Sequence, residues 1–154
     1  MRLVFTILLI AATLSASADK TTRKGLKAIT VKEQTVKTDS IDTFVPSPGM
    51  IRLSGYDKPL RSYKESIYAT NASRRVLSYI NIEITYFDES GRQMHKRNVK
   101  LNVHIPAGET RQITFSSWDK QRNLYYIKSG KPRTSDGTPY SISAQVIEAA
   151  YGKE

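Results

Sequence analysis

The 154-residue chain sets 24 Lys and Arg against 14 Asp and Glu, for a formal charge of +10, and has no cysteine. Disulfides, thiolate metal sites and a cysteine nucleophile are thereby excluded together. The charge favours anionic partners and leaves the fold open.

Arg2, the apolar run from Leu3 to Ala12 and the small residues Ala16-Ser17-Ala18 have the three-part layout of a secretory signal peptide, with cleavage expected between Ala18 and Asp19. The apolar run is about half the ~20 residues that a membrane-spanning helix requires, and no second run follows it. Residues 1–18 are therefore expected to direct export, to a periplasm or beyond, and no membrane span is expected. With no cysteine after the signal, lipid attachment there is excluded. Export makes nucleic acid the least expected anionic partner.

Residues 19–49 read as an arm and linker. The stretch 19–38 is rich in Lys and Thr with sparse apolar positions, which suits a flexible arm with at most one short strand from Ile29 to Val36. Pro46, Pro48 and Gly49 then impose extended backbone and a turn, so 39–49 is expected to be a linker.

From residue 50 to 150 the apolar period is two. Ile80, Ile82, Ile84 and Tyr86 alternate with Tyr79, Asn81, Glu83, Thr85 and Phe87, and Val99, Leu101, Val103 and Ile105 alternate with Asn98, Lys100, Asn102 and His104. Weaker alternation occurs at Ile51 and Leu53, Ile67 and Ala69, Ile113 and Phe115, Leu124 to Ile127, and Tyr140 to Val146, with turn-forming residues between. About seven short strands so spaced predict an all-β fold, an antiparallel immunoglobulin-like β-sandwich, with a small barrel as the rival.

The two strongest strands join at Glu89-Ser90-Gly91-Arg92. If Asp88 pairs with Gln93, Ile80 falls opposite Leu101, Ile82 opposite Val99 and Tyr86 opposite His95, and the buried face stays consistent along the ladder. Lys96 then points out, while His95 and Arg97 point in at the rim, where Arg97 is expected to lay its stem along Ile84 and Tyr86 and keep its head in water. Tyr79 and Phe87 lie on the outer face. They are either a docking surface or residues covered by a loop or the arm, and the cover is the preferred reading.

The search for chemistry returns little. His95 and His104 lie about 30 Å apart on one strand at ~3.3 Å per residue, too far to share a metal. No paired carboxylates, Gly-rich phosphate loop, GxSxG or HExxH is present, so no catalytic residue, metal or cofactor is assigned, and a hydrolase assembled from loops is the weakest alternative. Asp136-Gly137-Thr138 has too few oxygen ligands nearby for calcium and reads as a turn. Residues 118–133 are richer: Trp118, Tyr125 and Tyr126 are interleaved with Lys120, Arg122, Lys128, Lys131 and Arg133. Aromatic platforms beside cations suit an anionic glycan. The plainer reading has Trp118 and one tyrosine filling the sandwich end while the cations are solvated.

Ile84-Thr85-Tyr86-Phe87-Asp88, the turn at Gly91, and Ile105-Pro106-Ala107-Gly108-Glu109-Thr110 together resemble the FxLYD-type bacterial immunoglobulin-like domains over about residues 50–117. Ile84 and Tyr86 stand where that family has Phe and Leu. SGYDKPLRSYKES with IPAGETRQITF is similar to small exported proteins of gut Bacteroidetes. The resemblance implies a non-enzymatic β-sandwich of the bacterial envelope, carries over no catalytic residue, and makes Asp39-Ser40-Ile41 similar to the O-glycosylation motif of that group.

The functional expectation is thus an exported, non-catalytic interaction module docking on another envelope protein through Tyr79 and Phe87. The alternative is a binder of anionic glycan or lipopolysaccharide through residues 118–133. The export step is checked by the intact mass of the secreted protein, which is expected to begin at Asp19; a soluble form retaining residues 1–18 would contradict it.

Overall fold

The computed structural model describes residues 28–30, the latter as backbone only, 42–130, 132–133 and 136–152. The signal segment 1–18, most of the arm, Asp39-Ser40-Ile41 and Lys131 lie outside the described residues. Two four-stranded sheets pack face to face, and among the described residues no helix is long and apolar enough to cross a membrane.

One sheet has the order β1 (Ala28–Thr30), β6 (Thr110–Ser116), β3 (Lys64–Asn71), β2 (Ile51–Asp57). The other has β5 (Gln93–Ile105), β4 (Leu77–Phe87), β8 (Thr138–Tyr151), β7 (Leu124–Tyr126). The seven strands from β2 to β8 fall where the alternation places them. Consecutive strands cross between sheets from β3 to β4, β5 to β6 and β6 to β7. The neighbours β2-β3-β6 and β5-β4-β8 reproduce the A-B-E and C′-C-F order of an immunoglobulin-like sandwich. Two short pairings depart from pure antiparallel: β1 with β6 and β7 with β8 are parallel.

The alternation explains the core. Ile80, Ile82 and Ile84 of β4 face Val99 and Leu101 of β5 on the side that meets Ile67, Ala69 and Ile113 of the opposite sheet, and all are buried. The β4–β5 register is the expected one from Ile80–Leu101 to Tyr86–His95. It departs at both ends of the ladder: a shift between Leu77 and Tyr79 pairs Leu77 with Ile105, and the loop differs. Phe87 pairs with Gln93, Asp88 N–H donates to Arg92 O at 3.0 Å, and Met94 is the extra residue at the register shift. The connection is thus a three-residue loop with a bulge, not four residues. Gly91 at φ +77° supplies its left-handed position. Asp88 Oδ1 accepts from the N–H groups of Ser90 (3.0 Å) and Arg92 (2.9 Å). Hydrogen bonds from Ser90 and Arg92 hold its carboxyl low, at about 2.

Within the stretch read as linker, Phe44 is built into the sandwich. Phe44 exchanges both main-chain hydrogen bonds with Ala149 (2.8 and 2.9 Å) and stacks on Tyr151 with ring centroids 4.7 Å apart. An aromatic side chain that finds an apolar sheet end outweighs the sparse composition around it. Tyr79 is covered, at 3% exposed, and its hydroxyl donates to Glu148 at 3.3 Å. Thr43 of the same incoming segment bonds that carboxylate and is the chief cause of its lowered pKa.

Ile82→Asp is expected to unfold the domain, because an unpaired buried carboxylate costs several kcal/mol against a total of about 5–15. Glu83, on the outer face with Lys96 at 3.0 Å, is expected to tolerate Ala with its melting temperature nearly unchanged. Thermal melts that rank the two the other way would overturn the assignment of faces.

Candidate functional site

The apolar layer gives out at the sandwich end that carries the β2–β3 loop, the β4–β5 hairpin and the long segment from β6 to β8. A polar layer replaces it. Glu65 opens β3 with the same parity as Ile67 and Ala69 and is fully buried. Its Oε2 accepts from Tyr86 Oη at 2.8 Å and from Arg97 Nη2 at 3.2 Å, and its Oε1 from Ser117 Oγ at 2.8 Å and Trp118 N–H at 3.3 Å. Arg97 also donates from Nε to Tyr86 Oη (3.0 Å) and from Nη2 to Ser116 O (2.8 Å). The guanidinium expected in water is therefore turned inward, because Glu65 offers a charge partner from the facing sheet.

Around this carboxylate stands an aromatic shell. Trp118 stacks on His95 with centroids 4.7 Å apart and lies 5.0 Å from Tyr86, while Tyr56 and Tyr140 share a hydroxyl hydrogen bond of 2.7 Å. Burial raises the pKa of Tyr56, Tyr86 and Tyr140, and the Glu65 charge raises it further, so the three phenols stay protonated and available as donors.

Next to this layer Lys58, fully buried, reaches Asp119 Oδ2 at 2.9 Å and also donates to the Leu124 carbonyl. Burial would raise the Asp119 carboxyl. The hydrogen bond from Lys58, the Leu124 N–H (2.9 Å), the Lys58 charge and the Arg122 N–H (2.8 Å) together hold it below its ordinary value. One buried pair thus fixes the start of the β2–β3 loop, the segment 119–124 and the entrance to β7.

That segment carries a backbone outlier. Arg122 has φ +59°, and Arg61 of the β2–β3 loop has φ +64°, a left-handed conformation that a long side chain rarely adopts. Both are over-determined: Arg122 N–H donates to Asp119, and Arg61 N–H donates to Arg122 O at 3.1 Å. Both arginines are exposed. They flank a cleft of about 310 Å³ with Leu60, Gln121, Asn123 and Asp136. A second cleft of about 360 Å³ shares Leu60 and Arg61 and runs to Arg133 past Ser129 and Gly130. Gly137 lets the wall close: a Cβ there would sit 2.7 Å from Leu60 Cδ1 and 3.0 Å from Tyr125 Cδ1.

The sequence-derived candidates separate by type. Trp118 and Tyr126 are half-buried against the core, Tyr126 edge-on to Tyr56 at 4.9 Å, and Tyr125 lies on β7 opposite Pro139. The aromatic residues are thus packed at the sandwich end rather than spread as a platform. Lys120, Arg122, Lys128 and Arg133 are exposed, Arg122 lines the first cleft and Arg133 the second, and the two lysines line neither. Phe87 is half-buried beside Ser141, and Tyr79 is covered. Glu65, Lys58 and Arg61 were not among the candidates. Only Glu65 was signalled, by its parity with Ile67.

Comparisons with family models, with curated proteins and with solved structures give no match to this chain.

Asp119→Ala is expected to cost about 3–5 kcal/mol, since it strands Lys58 without its partner, whereas pairing it with Lys58→Met should restore most of that loss. Asp119 titrates lower in the folded than in the unfolded state. Its contribution is therefore complete above the unfolded value of about 4 and is lost as pH falls through the folded value. Chemical denaturation from pH 6 to pH 2 checks this: the Lys58→Met/Asp119→Leu double variant should lose less stability on acidification than the parent.

Proposed function

We propose that this protein is an exported, non-catalytic β-sandwich module of the bacterial envelope, of the FxLYD-type resemblance, whose loop end holds an anionic glycan. The observation that carries the reading is the pair of left-handed arginines, Arg61 and Arg122, locked backbone to backbone at the mouth of adjoining clefts. Strained residues concentrate where a geometry serves a ligand. Planar guanidinium groups suit the bidentate grip of carboxylate, sulfate or phosphate.

Two further observations bear on the alternatives, the loop-assembled hydrolase and protein docking. The buried carboxylates at this end, Glu65 and Asp119, are engaged in hydrogen bonds within the protein, and neither is placed to take a proton from a substrate. Docking of an envelope protein through Tyr79 and Phe87 is less favoured, since Tyr79 is buried and Phe87 is half-buried.

The test is retention on heparin as a generic polyanion, alongside titration with acidic oligosaccharides. Replacing Arg61 and Arg122 with Ser should weaken binding about tenfold or more, and Lys96→Ser on the outer face of β5 should not. Added salt should weaken it further, since exposed charges are screened within ~8–10 Å. Equal losses for the two sets of changes would leave only nonspecific attraction to a chain of charge +10 and overturn the reading.

A further inference from the structure

Independently of the loop end, β8 offers a strand-sized slot. Its outer edge is paired at two places only among the described residues: β7 covers Thr138–Tyr140, and Phe44 covers Ala149. Between them, among the described residues, no strand pairs with residues 141–148 on that side, which borders residues 46–49 and β2 across a groove. The Tyr140 carbonyl accepts from Ile127 N–H, and Ala149 exchanges both bonds with Phe44, so both residues direct their main chain to this edge. By alternation, with the register shift near Ile147, the main-chain groups of Ile142, Ala144 and Val146 face it too.

The local sequence explains why the slot stays open. Phe44 begins a strand along β8, but Pro46 and Pro48 have no N–H to continue the ladder, and the chain leaves for β2 through Gly49. The departure leaves a groove of about 370 Å³ walled by Pro46, Pro48, Ile51, Leu53, Ala144 and Val146. The four aliphatic side chains among them face the core yet are only half-buried. The sheet's opposite edge, β5, carries exposed Lys96 and Lys100, the usual guard against strand addition. The stretch Ser141-Ile142-Ser143-Ala144-Gln145-Val146-Ile147 carries no charge.

We propose that this slot accepts one extended segment of a partner protein, apolar at alternate positions and flanked by Asp or Glu, as an added strand beside β8. Such a segment would continue the edge that Phe44 and β7 already occupy, using main-chain bonds for affinity and alternate side chains for specificity. A symmetric β8–β8 dimer is excluded by geometry. Antiparallel pairing centred on Ala144 and Gln145 would bring β7 of one copy onto Phe44 of the other, so only a strand without folded neighbours fits. The chain's own arm is a poor occupant: residues 28–30 lie at the far edge of the other sheet, on β6, and residues 19–41 carry six Lys or Arg against three Asp or Glu. A partner rich in carboxylate complements a chain of charge +10.

The test uses the exported full chain and the peptide EETVTVTVTEE, with a control of the same composition in which the valines are adjacent. In the free protein, amides of Ile142, Ala144 and Val146 should exchange at least tenfold faster than those of Ser143 and Gln145, which bond β4. The alternating peptide should bind and slow the three fast amides. Ala144→Pro, which removes a donor from the open edge alone, and Val146→Lys, which puts a charge in the groove, should each weaken binding at least tenfold. Any one of three results overturns the proposal: slow exchange of all five amides in the free monomer, absence of preference for the alternating peptide, or tighter binding of a peptide spanning residues 19–41 than of the acidic one. The exchange measurement needs no variant to fold.

Discussion

The contact between Lys58 Nζ and Asp119 Oδ2 organises the loop end of this protein. Two charges taken out of water are tolerated only if each is fully partnered, and here the ammonium also reaches the Leu124 carbonyl while the carboxylate takes the Arg122 and Leu124 N–H groups. The pair therefore fixes main chain on both sides of the seam. Arg122 is held in a left-handed turn, its carbonyl receives Arg61, and the two guanidinium-bearing residues are set at one rim. A buried electrostatic requirement becomes a surface geometry.

A second buried charge closes the same end. Glu65 lies on the inner face of one sheet and Arg97 on that of the other, so their contact ties the sheets together where branched aliphatics no longer fill the gap. The gain in specificity is directional, since Tyr86, Ser117 and Trp118 all point donors at that carboxylate. The opposite end is closed by the stacking of Phe44 on Tyr151 and by the buried Asn71, whose amide donates to the carbonyls of Arg75 and Ile105. The ends thus differ in charge, since buried ion pairs close one of them.

The side of the sandwich has its own logic. In an immunoglobulin-like order a full strand would lie beside β8, and among the described residues only the three residues of β7 and a single bridge at Phe44 do so. Two prolines keep the intervening edge free, and the absence of charge along it leaves pairing unopposed. The loop end and this edge are separate surfaces on one rigid sandwich.

Local rules sufficed for the strands. Alternation along residues 79–105 gave the faces, the register and the identity of the core, because a period of two leaves one choice once a buried face exists. The parity of Glu65 with Ile67 and Ala69 was a signal for a buried carboxylate that the reading of the strands did not use. The alternation along β4 set Tyr79 on the outer face, but its burial there, with its hydroxyl on Glu148, depended on the neighbouring strand β8. Arg97 was readable as a rim residue, and only the facing sheet decided that its head would turn inward. Lys58 and Asp119 stand 61 positions apart in loops without periodicity, so no local pattern joins them. Their meeting, the left-handed arginines that follow from it and the open edge of β8 were decided by tertiary structure, because each depends on which chain segments the crossed connections bring side by side.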